Sequence, residues 1–266
     1  MIQKLSVSAI SLFKACRRAY ELKYVYGVVP KEEQSEALKT GSAYHTYVEQ
    51  IQRTGEVPEI VDRETAMANA YYQYVYPQMP QFEPETWFEK SIGRGMKLIG
   101  RLDGKADGAI VEHKTTSLNV EEYEYNLNIL QNDQLLAYFL ATGTNKAYYT
   151  VCKKPALRQK KDETSEEFGQ RCFEWYSEET DSKIKMFVVT KTDEEIKEYH
   201  SELKKMFATV RAAKKGNFYK NTCNCNVWGR MCEYAPICMH YDPNVDYVGF
   251  ERSTYEDNKH SGEYQR

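Results

Sequence analysis

The sequence predicts an α/β fold, and three observations predict it. Residues 6–25 carry Ala9, Phe13, Cys16, Tyr20 and Tyr24 at spacings of three or four, the period of one helix face. After a loop containing Pro77, Pro80 and Pro84, three short segments of strand character follow at 86–92, 96–103 and 107–114. Further strands are expected at 147–152 and 185–190, set between helical stretches.

The remaining elements follow in order. A second helix is expected over 36–53, where it carries His45, and a third over 61–76. Asn119-Val-Glu-Glu122 has the acidic first turn of a helix start, and Leu127, Leu130, Gln134 and Tyr138 continue one face to Thr142, where Gly143 ends it. Residues 163–175 read as a helix, and Thr192-Asp-Glu-Glu195 has the form of a capping box opening a long helix to about Lys215. No internal repeat or linker divides the chain. We therefore expect one domain over 1–266, with a helical part at 5–80, a core at 84–190, a helix and cysteine segment at 191–242 and a polar tail at 243–266. The last dozen residues are expected to be poorly ordered.

Composition narrows the function classes. With 266 residues and 41% apolar content, the chain can bury one sizeable core. No stretch approaches the ~20 consecutive apolar residues of a membrane helix, and Met1-Ile-Gln-Lys-Leu-Ser lacks an apolar signal core, so a soluble, cytoplasmic protein is expected. A net charge of −3 is not that of a protein that coats DNA through bulk positive charge. Two basic clusters stand out locally: Lys153, Lys154, Arg158, Lys160 and Lys161, and Lys204, Lys205, Arg211, Lys214 and Lys215. Such runs are usually solvated faces and only secondarily phosphate contacts. Seven cysteines, an odd number, argue against a disulfide framework and for metal ligation plus buried thiols, the latter fitting Cys152 and Cys172.

The most informative run is Gly100-Arg-Leu-Asp103-Gly-Lys-Ala-Asp107-Gly-Ala-Ile-Val-Glu112-His-Lys114-Thr-Thr. Strand side chains alternate between faces, so Glu112 and Lys114 project from one side and Val111 and His113 from the other. Asp107-Gly108 is turn chemistry that folds the preceding strand back, bringing Asp103 towards the same patch. Two carboxylates and a lysine suit phosphoryl chemistry. Magnesium is usually held by one or two carboxylates together with phosphate oxygens, and a neighbouring ammonium can orient water or neutralise developing charge. Taken singly, Glu112 and Lys114 could be an ordinary ion pair, and His45 a structural histidine.

A second concentration is Cys223-Asn-Cys225-Asn-Val-Trp-Gly-Arg-Met-Cys232-Glu-Tyr-Ala-Pro-Ile-Cys238. Four thiolates suit tetrahedral zinc or an iron–sulfur cluster, and spacing alone does not choose between them. A local zinc knuckle would use Cys223, Cys225, Cys232 and Cys238, although one residue between the first two is short of the usual zinc spacing. Cys16 lies on an apolar helix face, where a cysteine is often simply buried.

The arrangement around Asp103, Glu112 and Lys114 resembles the PD-(D/E)xK nuclease superfamily, and more closely its RecB-like exonuclease branch. Gly41-Ser-Ala-Tyr-His45 is similar to the branch's upstream G-x-x-x-H segment, Gln134-Leu-Leu-Ala-Tyr138 to its Q-x-x-x-Y signature, and Cys225, Cys232 and Cys238 to its closing cysteines. Ser6-Val-Ser8 with Phe13 and Cys16 resembles the branch's opening helix. The likeness spans roughly residues 5–240 in the family's order. Leu102 stands where the superfamily name has proline, Glu112 replaces the branch's usual aspartate, and Gly229 occupies the position three before Cys232, so the tight C-x-x-C is absent.

The resemblance implies a restriction-endonuclease-like core, a mixed central sheet flanked by helices, with the N- and C-terminal segments joined by a metal cluster. It implies a Mg2+- or Mn2+-dependent deoxyribonuclease, acting as an exonuclease on single- or double-stranded DNA ends in processing or recombination. His45, Asp103, Glu112 and the His113 carbonyl would hold the metal, Lys114 would assist water, and Gln134 and Tyr138 would position substrate or brace the lysine. It further implies a [4Fe-4S] cluster on Cys16, Cys225, Cys232 and Cys238, with Cys223 spare and zinc the alternative. A recombinase, helicase or single-strand-binding protein is an expected partner class, and a small stand-alone member such as this looks like the type found in viruses of bacteria. Two competing readings are a catalytically weak nuclease fold serving as a DNA- or partner-binding module, and a zinc-containing interaction protein.

Overall fold

The computed structural model describes residues 3–31, 35–121, 123–213, 218–227 and 229–253. In chain order the elements are β1 (Gln3–Ser6), α1 (Val7–Ala15), α2 (Arg17–Tyr20), a π-helical segment (Glu21–Val25), β2 (Val28–Pro30), α3 (Glu36–Thr54) and α4 (Arg63–Tyr74). A 3-10 turn (Tyr76–Gln78) leads to β3 (Phe82–Gly93), β4 (Met96–Ala106) and β5 (Ala109–Thr116). Next come α5 (Tyr123–Leu130), α6 (Asp133–Thr142), β6 (Lys146–Lys153), α7 (Ser165–Ser177), α8 (Thr180–Lys183), β7 (Ile184–Thr190) and α9 (Asp193–Ala212). The last elements are a 3-10 turn (Thr222–Asn224), β8 (Asn226–Val227), β9 (Arg230–Met231), α10 (Ala235–Cys238) and β10 (Phe250–Arg252). Glu122, Lys214, Lys215 and the tail beyond 253, all named above, lie outside the described residues.

The chain divides into two compact units, one comprising 34–90 and 99–201 and the other 1–33, 91–98 and 202–266. In the first, β4, β5, β6 and β7 are neighbours in that order, and β3 also pairs with β4. The sheet is mixed: β4 and β6 run antiparallel to β5 and β7 respectively, and β5 and β6 are parallel, with Glu112 opposite Tyr149 and His113 opposite Thr150. A parallel pair needs a crossover, and α5 with α6 supplies it. β5 reads Ala-Ile-Val-Glu-His with all five residues buried, the near-continuous burial of a central strand covered on both faces.

The helices on one face share a core of Tyr44, Val48, Ile51, Met67, Ala70, Tyr71 and Tyr176. α4 is held at its start by Asp62, whose side chain accepts the Thr65 N–H, while Thr65 Oγ1 takes the Asp62 N–H, a reciprocal cap. The capping box expected at Thr192 is present: the Glu195 carboxylate accepts the Thr192 N–H at 2.8 Å, and Thr192 Oγ1 accepts the Glu195 N–H at 3.2 Å.

Two expected helices are divided. The single helix expected over 119–142 is α5 and α6, because Asn132 takes extended backbone and its side chain accepts the Gln134 N–H at 2.8 Å, starting a new helix. The helix expected over 6–25 breaks at Cys16 (φ −157, ψ 114). There Asn221 and Asn224 amides donate to the Ala15 carbonyl at 2.9 and 2.6 Å, so side chains from far along the sequence take an acceptor that a continuous helix would use. β3 begins at 82 rather than 86 and tolerates Pro84 because β4 is its one partner among the described residues.

In the second unit, Ser6 caps α1 through the Ala9 N–H at 3.1 Å, and β2 pairs antiparallel with β10. Ala19, Leu22, Val28, Tyr234 and Ile237 form its buried centre, with Cys16, Cys232, Tyr241 and Phe250 packed around them. The Tyr234 hydroxyl donates to the Val28 carbonyl at 3.1 Å. The N- and C-terminal segments are thus packed together by apolar and hydrogen-bonded contacts. Among the described residues no helix is long and apolar enough to cross a membrane.

Candidate active site

Asp107-Gly108 forms the two-residue turn between β4 and β5, with Gly108 at φ +65, a conformation glycine adopts without strain. The ladder then runs Ala106–Ala109, Lys105–Ile110 and Gly104–Val111. Beyond that pair a side chain replaces the backbone as acceptor: Asp103 Oδ2 takes the His113 N–H at 2.7 Å. The carboxylate is thereby fixed beside the segment that carries Glu112 and Lys114.

On β5 the alternation expected from sequence holds. Glu112, 1% exposed, and Lys114, 31% exposed, face α6 and pair with each other. The Lys114 ammonium also donates to Gln134 Oε1 at 3.0 Å, Gln134 Nε2 to the Tyr138 hydroxyl at 2.6 Å, and that hydroxyl to the Arg101 carbonyl on β4 at 2.9 Å. Gln134 and Tyr138 stand one turn apart on α6, so a single helix face ties the lysine back to the neighbouring strand. The other face of β5 carries His113, whose Nδ1 meets Thr150 Oγ1 at 2.6 Å and whose ring packs edge-on to Tyr71.

His45 reaches the group from α3. A Cβ on Gly41 would lie 3.2 Å from Thr115 Oγ1, so glycine lets the helix approach β5 closely. One turn later His45 Nδ1 stands 3.6 Å from Asp103 Oδ1. The G-x-x-x-H spacing is therefore a contact residue followed by the residue that contact delivers.

Two carboxylates facing one ammonium cannot both be comfortable, and burial decides between them. Burial, reinforced by the Asp103 charge, pushes Glu112 up to about 7 despite Lys114. Burial opposes ionisation of Asp103 too, but the facing His45 and Lys114 outweigh it and hold that carboxyl well below the usual range. The two carboxylates likewise raise Lys114 and His45 against burial. Burial lowers His113 to about 4, leaving it neutral.

A stability prediction follows. Because the folded value of Glu112 lies above its ordinary 4.5, the folded chain holds a proton that the unfolded chain releases between about pH 4.5 and 7. Glu112 therefore contributes a loss of metal-free stability as pH rises through that window, whereas His113, lowered to about 4, contributes a gain over much of it. Glu112→Gln should remove the loss and raise the metal-free Tm at pH 8 above that of the wild type by a few degrees, for about 1–3 kcal/mol. Melting curves of both proteins at pH 5 and 8 in chelator check this, and a difference between them that does not grow in the variant's favour at pH 8 would contradict it.

One charged residue beside the site was not singled out from the sequence. Glu85, at φ +57 after Pro84, pairs with Arg101 at 2.7 Å. Burial, then the opposing pull of Arg101 and the push of Asp103 and Glu49, leave its carboxyl raised. A small cavity is lined by Glu85, Glu49, His45 and Asp103. No spacing rule links Glu85 to Asp103; the left-handed turn that aims it is visible only in three dimensions.

The expected cysteines also come into reach of one another. Cys16, Cys225, Cys232 and Cys238 are partly buried free thiols, and Cys223 is exposed. Burial first, and then Cys16 and Cys225, raise Cys232; burial, with Cys16 and Cys232, raises Cys238. Backbone amides already point at sulfur, with the Asn221 N–H 3.5 Å from Cys16 Sγ and that of Tyr234 bonding Cys232. Among the described residues, no three His, Cys, Asp or Glu side chains are yet gathered at metal-holding distances.

A sequence model of the PD-(D/E)XK nuclease superfamily matches residues 4–92 and 60–239. The chain belongs to the PD-(D/E)XK nuclease superfamily. As a member of it the protein is a nuclease, and its mixed sheet with flanking helices fits that fold. No curated protein matches it in sequence. Among solved structures, a protein from Eubacterium rectale assigned as an exonuclease is similar over 97% of this chain and 93% of its own, at 16% identity and a TM-score of 0.51. An alkaline exonuclease from Laribacter hongkongensis is similar over 68% of this chain and 72% of its own, at 12% identity and a TM-score of 0.38. A phage-related exonuclease from Haemophilus somnus is similar over 72% of this chain and 93% of its own, at 13% identity and a TM-score of 0.34.

Proposed function

We propose that this nuclease is a Mg2+- or Mn2+-dependent deoxyribonuclease of the RecB-like branch that hydrolyses phosphodiester bonds at DNA ends. The observation that carries the reading is the convergence of Asp103, Glu112 and Lys114 with His45 facing Asp103. The donor set fits a hard cation: Glu112 Oε2 is buried without a hydrogen-bond partner, and the raised carboxyl it belongs to is what an added positive charge would relieve. Asp103, Glu112, His45 and the His113 carbonyl would hold the ion, which when bound polarises phosphate and acidifies water.

The chain's own groups perform the rest. Lys114 supplies a charge kept protonated by two carboxylates, aimed by the Gln134–Tyr138–Arg101 chain of hydrogen bonds, and able to neutralise an oxygen of the phosphate under attack. Asp103 stays ionised because His45 and the His113 amide support its charge. The neutral His113 braces the strand through Thr150.

End-labelled linear DNA and closed circular DNA, each incubated with manganese, test the proposal. Mononucleotide release from the linear form with the circle intact is expected. Cutting of both forms would leave the nuclease but remove the end-directed reading; binding without cutting would favour the catalytically weak binding module. His45→Ala should shift activity towards higher metal concentration, by about tenfold, while DNA binding in chelator holds. A metal titration that overlays the wild type would leave His45 a structural residue.

We further propose that Cys16, Cys225, Cys232 and Cys238 hold a [4Fe-4S] cluster. Their donor set fits: four soft sulfurs, partly buried, with amide N–H groups directed at two of them, as thiolate ligands require.

A further inference from the structure

The unit that holds the cysteines contains a cavity of about 450 Å³ sharing no residue with the catalytic group. That volume lies within the range of small-ligand sites, roughly 300–1,000 Å³. Four cations line it, Lys14 and Arg17 from the N-terminal helices, Lys205 from α9, and Lys220, and no carboxylate does. Lys14 lies 3.7 Å from Glu202, and Lys220 meets the weak acceptor Met239 Sδ at 3.3 Å and lies within electrostatic reach of the Cys238 thiol. No carboxylate among the described residues pairs with Arg17, Lys205 or Lys220. In a chain of net charge −3, a concave surface on which Arg17, Lys205 and Lys220 stand without a carboxylate among the described residues carries self-repulsion that an anion would relieve.

The aromatic part is as specific. The Arg17 guanidinium lies 5.0 Å from the centre of the Phe13 ring and 4.4 Å from that of Tyr219. Held by its faces, it keeps its edge N–H groups for an acceptor. Phe13 is buried and Tyr219 remains 60% exposed, so a broad ring surface stands open beside the charges. Thr209 and Asn221 add polar groups to the wall.

We propose that this cavity binds one nucleotide unit of single-stranded DNA, with its phosphate on Arg17, Lys205 and Lys220 and its base against Tyr219. A base offers its face only when unstacked from a duplex, which commits the site to a single strand. That the unit belongs to a strand and is not a free nucleotide rests on the deoxyribonuclease reading above.

The test uses the full-length protein in chelator and a fluorescein-labelled oligothymidylate followed by anisotropy. Tyr219→Ala should weaken binding roughly 5- to 100-fold, Tyr219→Phe should restore it, and Lys205→Ala should reduce the slope of log affinity against log salt by about one. An iodouracil-substituted strand irradiated with the wild-type protein should crosslink to the peptide containing Tyr219, a readout that needs no variant. Wild-type affinity in both Tyr219→Ala and Lys205→Ala, or a crosslink confined to other peptides, would overturn the site while leaving the nuclease intact. Loss of thymidine monophosphate binding in Tyr219→Ala with strand affinity unchanged would overturn the strand assignment. A wild-type protein that neither binds the oligonucleotide nor cuts DNA with manganese would instead remove the deoxyribonuclease reading, and this proposal with it.

Discussion

Asp103→Ala, Glu112→Ala and Lys114→Ala should each lower DNA cleavage by about 10³-fold or more, with the fold retained. The size follows from what each group faces. Asp103 and Glu112 supply the negative charge that would hold the cation, and Lys114 pairs with Glu112 within electrostatic reach of Asp103. None of the three is an apolar core contact. Deleting a carboxylate from a site with two acids and one ammonium removes repulsion, so melting temperature in chelator should hold or rise for Glu112→Ala. Asp103→Ala should lower it, because His45 and Lys114 hold the Asp103 charge favourably and its carboxylate satisfies the His113 amide. The losses should not add: a double variant should be about as inactive as the worse single one, since the groups act on one phosphate. Rates on end-labelled DNA, with circular dichroism as the folding control, check this. A wild-type rate in Asp103→Ala would sink the site.

The convergence of the candidate site residues was legible because its logic is local. Alternation on a strand, the Asp-Gly turn and the i, i+4 spacing of Gln134 and Tyr138 are short-range rules, and they group Glu112 with Lys114, and Gln134 with Tyr138, as the structure does. What escaped depends on contacts between distant segments. The break at Cys16 comes with Asn221 and Asn224 bonding the Ala15 carbonyl from more than two hundred positions away, and no helical propensity near residue 16 announces it. The division at Asn132 had a signal, an N-cap residue, that the continuous apolar pattern from Leu127 to Tyr138 concealed. β8, β9 and β10 are two or three residues long, too short for any periodicity. The cation-lined cavity combines Lys14 and Arg17 with Lys205 and Lys220, whereas the sequence grouped Lys205 with its helix neighbours.

Cys16→Ser should bleach the brown colour expected of the anaerobically purified protein, lower its soluble yield and open both chain ends to protease, although residue 16 is far in sequence from every residue of the candidate site. Tying Cys16 to Cys225 through a shared cluster closes a loop of about 200 residues, and by analogy with a covalent crosslink the chain-entropy contribution is about 5 kcal/mol, an upper-end figure that strain would reduce. That is comparable with the whole stability of many domains. The apolar packing around Cys16 and Cys232 should keep part of the unit folded, so damage should be graded, greatest at the residues nearest the sulfurs. Cys223→Ser should do far less: its thiol is exposed, whereas Cys16, Cys225 and Cys232 lie within one another's electrostatic reach. Absorption spectra, metal analysis and limited proteolysis of the two variants make the comparison. Equal damage from both substitutions, or a colourless wild-type protein containing one zinc, would move the metal to a knuckle of Cys223, Cys225, Cys232 and Cys238 and leave Cys16 a packing residue, because a local knuckle closes only short loops and has no need of the N-terminal helix.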